Sequence, residues 1–140
     1  MSRPRLTLQE FCGIVRQVMQ EMPEPFRGYL DNVAVDVEQR PSERTLREQG
    51  LRPDEWDQLM GLFQGAPLTE QHFGEHYPNR ITLYQRSIEA ASRSRAEVAY
   101  EIRRTLIHEL AHHFGFSEED LEKFEAAPSP FDAEQSQEEP

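Results

Sequence analysis

Along the chain, apolar residues recur first at helical spacing, then in alternation, and finally at helical spacing again. Phe11, Ile14, Val15, Val18, Met19 and Met22 return every three to four residues until Pro23, which predicts an amphipathic helix ended by the proline. Its start is marked by Thr7-Leu8-Gln9-Glu10, a capping box, with Leu6 and Phe11 placed as the hydrophobic staple. Val33, Val35 and Val37 then alternate with Ala34, Asp36 and Glu38, predicting a half-buried strand over residues 32–38. A short helix over 42–49 closes at Gly50, the residue that best tolerates a left-handed C′ position. A turn over 54–58 leads into a short apolar strand over 59–63, and residues 65–79 read as loop. Ile81 and Leu83, interleaved with Thr82, Tyr84 and Arg86, predict a strand over 81–86.

The longest helix is predicted over 95–114. Ser94-x-x-Glu97 supplies a second capping box and Gly115 the stop. At about 100° per residue, Ala99, Ile102, Leu106, Leu110 and His113 form its core stripe. Glu101, Thr105, His108 and His112 share a neighbouring face, and Glu109 lies between the two. A terminal helix over 118–125 carries Leu121 and Phe124, and no internal repeat is present. Helices packed on a small sheet make an α+β domain over residues 1–127.

Composition changes that picture mainly at the C-terminus. Residues 128–140 hold four acids, three prolines and no base, too little apolar surface to offset the entropy of ordering, and read as a disordered acidic tail. Without those four acids the net charge moves from −11 to −7, so the domain itself is acidic. Such a field disfavours nucleic-acid backbones and anionic membrane surfaces as partners. The single cysteine, Cys12, excludes an internal disulfide. It has no basic neighbour in sequence to activate it, and reads as a structural thiol. The first ten residues lack the apolar core of a signal peptide, and no apolar run is long enough to span a bilayer. A reduced, cytoplasmic protein is the expectation.

The chemistry is concentrated in residues 108–118, His-Glu-Leu-Ala-His-His-Phe-Gly-Phe-Ser-Glu. Residues four apart on a helix lie one above the other, so His108 and His112 can reach one metal ion. Neutral imidazole is a good zinc ligand, and catalytic zinc keeps three protein ligands plus an open position for water. Glu109, beside the ion but not ligating it, is placed as the general base that takes a proton from the activated water. Gly115 allows a sharp turn after which Glu118 can swing back as the third ligand, at the spacing H-E-x-x-H-x-x-G-x-x-(H/D). Asp120, a residue of the 65–79 loop, or solvent are the alternatives. Glu118, Glu119 and Asp120 would then simply favour the N-terminus of the last helix. All four methionines precede the motif, so no Met-turn follows it.

Two further histidine patterns need separate readings. His113 falls on the core stripe and is expected to be packed and hydrogen-bonded rather than to ligate metal. His72-Phe73-Gly74-Glu75-His76 matches the inverted H-x-x-E-H order. With Gly74 inside it and Pro78 just beyond, it lacks the rigid helix needed to aim both rings. Its place is over the real site, lending His72 or His76 to substrate or metal.

Residues 59–70 (Leu-Met-Gly-Leu-Phe-Gln-Gly-Ala-Pro-Leu-Thr-Glu), 81–86 (Ile-Thr-Leu-Tyr-Gln-Arg) and 105–121, with its His-Glu-Leu-Ala-His-His-Phe-Gly, look like the small bacterial zincin-like metallopeptidase family. The resemblance extends over residues 7–125. It implies a minimal zincin fold, a small sheet packed against the metal-site helix, with zinc on His108 and His112 and Glu109 as general base. The family typically carries aspartate where this sequence has Glu118, which keeps the carboxylate on a longer side chain. The expectation is therefore a zinc-dependent peptidase acting on short peptides or unfolded protein, with the 81–86 strand beside the cleft offering an edge to the substrate main chain. The contrasting expectation, from a different class, is a metal-stabilised, catalytically silent binding or regulatory module.

Overall fold

The computed structural model describes residues 4–65, 79–117 and 119–122. Helix α1 (Leu8–Gln20) begins where its capping box dictates: the Thr7 hydroxyl accepts the Glu10 amide at 3.1 Å, and the Glu10 carboxylate accepts the Thr7 amide at 3.0 Å. Leu6, Phe11, Val15 and Val18 are buried on one side of it. Beyond Pro23 comes α2 (Phe26–Leu30), a five-residue helix that the pattern does not predict because it is too short to show a period. Its Phe26 is fully buried.

Three strands follow: β1 (Val33–Glu38), β2 (Gly61–Gln64) and β3 (Asn79–Tyr84). Between β1 and β2 lie α3 (Glu43–Glu48), with Gly50 beyond it at φ 75°, and a 3₁₀ turn (Pro53–Gln58). The sheet order is β1-β3-β2. β1 pairs parallel with β3, Val35 opposite Ile81 and Val37 opposite Leu83. β2 pairs antiparallel with β3, Leu62 opposite Thr82. The parallel pair requires a crossover, and α3 with the 3₁₀ turn and β2 supplies it.

This topology corrects the expected place of the 81–86 strand. β3 is the central strand, not an edge, and Ile81, Thr82, Leu83 and Tyr84 are all buried. The polar alternation suggested one wet face, but both faces are covered. The strand also stops at Tyr84, and α4 (Gln85–Ala90) begins at once. Its polar residues conceal it in the sequence, because Gln85, Ser87 and Glu89 are buried and bonded rather than solvated. The Glu89 carboxylate accepts the Leu6 amide at 2.9 Å, Gln85 Nε2 at 3.1 Å and Arg86 Nη1 at 2.6 Å.

Helix α5 (Arg95–His113) packs against α1, α2, α4, β2 and β3. Ser94 caps it by accepting the Glu97 amide, while the Glu97 carboxylate reaches the Arg93 amide, one residue before the box predicted. Val98, Ala99, Ile102, Leu106 and Leu110 are buried, and Arg95 pairs with Glu10 across to α1. Gly115 ends the helix at φ 78°, and residues 119–122 are helical, with Leu121 returned to the core. Helices on a small mixed sheet give the expected α+β architecture. Among the described residues no helix is long and apolar enough to cross a membrane. The predicted 128–140 tail, the H-x-x-E-H run and Phe124 lie outside the described residues.

Candidate metal centre

The last two turns of α5 carry the motif into a cleft between the helix and β2. Only a small residue lets these elements approach so closely: a Cβ at Gly61 would lie 2.4 Å from Cγ2 of Thr105. The cleft has a volume of about 240 Å³, and Met60, Gly61, Glu101, Thr105, His108 and Glu109 are among its walls. Glu101, Thr105 and His108 belong to the helix face singled out from the sequence.

His108 is partly buried and His112 exposed, one turn apart on α5. Their ring centres are 6.3 Å apart, with 35° between the ring planes. Rings that share a tetrahedral zinc through nitrogens at about 2.0–2.1 Å stand roughly 5 Å apart. The observed spacing is about 1 Å wider than that, on a His112 side chain that is exposed, and two imidazoles one turn apart are a donor set of the kind zinc takes. Among the described residues no group of three or more His, Cys, Asp or Glu is assembled for a metal. Glu118, the expected third ligand, lies outside the described residues, as do His72 and His76. Asp120, the alternative, serves as a cap: its carboxylate accepts the Ser117 hydroxyl at 2.9 Å and the Ser117 amide at 3.3 Å, while Ser117 Oγ accepts the Asp120 amide.

Glu109 is held by a contact that the sequence does not reveal. Its Oε2 accepts the backbone amide of Phe63 at 3.2 Å, which fixes the carboxylate beside the two imidazoles. Pairing places this amide on the open side of β2. Tyr84 N–H bonds Met60 C=O on the inner side, and hydrogen-bonding alternates along an antiparallel strand. Burial pushes the Glu109 carboxyl above its ordinary value of 4.5; the Phe63 amide and then His112 and His108 pull the other way. A carboxyl so placed holds its proton more tightly than an exposed one.

His113 departs from its expected place. It is exposed, not packed in the core, and stacks on the Phe63 ring with centres 3.9 Å apart and planes 22° apart. Phe114 meets His113 edge-on and stacks on Tyr29 at 4.0 Å, so an aromatic row closes the C-terminal end of α5. The helix stops at His113, and its last residue lies over β2 instead of in the apolar interior. This stacking sets His113 against β2.

Glu101 and Arg104 also line the cleft, and no role was read for them in the sequence. The available signal was spacing: Glu101 precedes His108 by seven residues, two turns on one face. Burial is the main cause that raises the Glu101 carboxyl above its ordinary value; Arg104 opposes it and Glu97 adds to it. Cys12 is partly buried on α1.

A family model described as zincin-like metallopeptidase matches residues 30–127, which takes in the sheet, the cleft and the whole of α5. No match was found among curated proteins.

Proposed function

The chain thus belongs to the zincin-like metallopeptidase family, and from that premise we propose that it is a zinc-dependent peptidase in which His108 and His112 hold the ion and Glu109 is the general base. Glu118 is the assigned third ligand. The observation that carries this reading is the anchored carboxylate: partly buried Glu109, fixed by the Phe63 amide and set with His108 on the wall of a cleft, with His112 one turn on along the same helix.

Zinc bound there would polarise a peptide carbonyl and make water acidic enough to lose a proton near neutral pH. Glu109 accepts that proton as the water oxygen bonds to the carbonyl carbon. It then delivers the proton to the amine nitrogen as the C–N bond breaks. Its raised carboxyl value suits both halves of the transfer. The outer side of β2, which pairs with no other strand among the described residues and whose Phe63 amide Glu109 holds, is the edge along which an extended peptide can lie, since the inner side is committed to β3.

Glu109→Gln is expected to retain zinc by elemental analysis while peptide hydrolysis falls about 10²–10⁴-fold. His112→Ala is expected to lose both zinc and hydrolysis. Undiminished cleavage by a clean Glu109→Gln preparation would remove the general-base assignment.

A further inference from the structure

Glu101 is a carboxylate that the fold leaves unsatisfied. Its side chain is only 13% exposed, and its Oε2 is closed off from solvent with no hydrogen-bond partner among the described residues. The nearest cation, Arg104 Nη1, stands 3.9 Å from Oε1, beyond hydrogen-bond reach, on a side chain that is 48% exposed. A buried acceptor without donors is costly, and native proteins keep few of them without a use. Glu101 and Arg104 lie on the wall of the same cleft as His108 and Glu109, so a ligand cation can meet the carboxylate on its Oε1 side, where only the distant Arg104 now stands, and offset the charge that Oε2 holds without donors.

We propose that Glu101 is a specificity-determining residue that selects peptides with a lysine or arginine side chain; the proposal rests on the peptidase reading above. Seven residues of helix place Glu101 about 10 Å before His108 along the axis. An extended peptide advances roughly 3.3 Å per residue, so the selected side chain stands about three residues from the bond over the two imidazoles. An ammonium or guanidinium supplies both donors and compensating charge, which a neutral donor does not. Leu59 and Met60, on the same cleft, offer apolar surface for the alkyl stem of such a side chain. Glu97 adds negative potential at Glu101, and the exposed Arg104 side chain is free to swing outward as the incoming cation replaces it.

The test is a set of alanine-rich peptides, identical except for one lysine moved through successive positions, each matched by a norleucine peptide. Binding to the zinc-loaded full chain is read by fluorescence anisotropy, and cleavage by mass spectrometry. Lysine at one spacing should bind and be cleaved about tenfold better than norleucine. Glu101→Gln should bring the two together with zinc content unchanged. Nε-acetyl-lysine at the same position should lose the advantage, a control that needs no variant to fold. Equal binding of lysine and norleucine at every position, or a preference that survives both Glu101→Gln and acetylation, overturns the proposal. Selective binding without cleavage upholds Glu101 and removes the hydrolase; cleavage without selectivity does the reverse.

Discussion

Glu89 in α4 and Glu101 in α5 are both carboxylates withdrawn from water, yet their surroundings are opposite. Glu89 receives the Leu6 amide, the Gln85 side chain and the Arg86 guanidinium, ties the N-terminal segment to α4, and is not among the residues lining the cleft beside His108. Glu101 has one oxygen with no partner among the described residues and forms part of the wall beside His108. A buried acid that the fold satisfies is a structural joint, whereas one left open on a cleft awaits a donor from outside. Burial and charge alone do not separate the two. The accounting of donors does.

That contrast can be broken most forcefully at Glu89. Glu89→Gln keeps the volume but turns an acceptor towards three donors into a group that is itself half donor. A stability loss of about 3 kcal/mol is expected by denaturant titration, with zinc stoichiometry retained. If Glu89→Gln is neutral, the satisfied network is not the joint described. Gly61→Ala comes next in size. The added Cβ meets Thr105 Cγ2 at 2.4 Å, so β2 and α5 must part, at about 1–3 kcal/mol. That movement also carries the Phe63 amide away from Glu109, so hydrolysis should fall more than zinc affinity.

The smallest effect lies at Glu101 and has the opposite sign to that at Glu89. Burial raises its carboxyl above the ordinary 4.5, so the folded chain holds this proton more tightly than the unfolded one. The stability so gained is complete below pH 4.5 and is lost as pH rises through the raised value. Thermal melts of wild type and Glu101→Gln should therefore diverge from pH 4.5 upward, the variant becoming the more stable. Coincident curves would show that Glu101 is solvated rather than withheld from water.

The helices were legible where their ends carry chemistry. Thr7 and Glu10, Ser42 with Gly50, and Ser94 with Gly115 mark boundaries by local side-chain bonds and positive-φ glycines, which need no tertiary partner. α2 and α4 were not legible. One is too short for a period, and the other buries Gln85, Ser87 and Glu89 against partners far away in sequence. His113 was misplaced for a related reason: a stripe drawn at 100° per residue assumes that the core continues to the helix end. Here β2 and its Phe63 ring take over instead.

What the amino-acid order settled by itself was the helix that bears the motif and the face that Glu101, Thr105, His108 and His112 share, because one-turn spacing is a local property of the backbone. What only the tertiary structure decided was which strand borders the cleft, what anchors Glu109, and which buried acid is left without donors. Each of these depends on groups distant in sequence: β2 against α5, the Phe63 amide against Glu109 Oε2, and Leu6 against Glu89. Periodicity records which side of an element is apolar. It carries no information about which distant donor or acceptor will meet that side once the chain has closed.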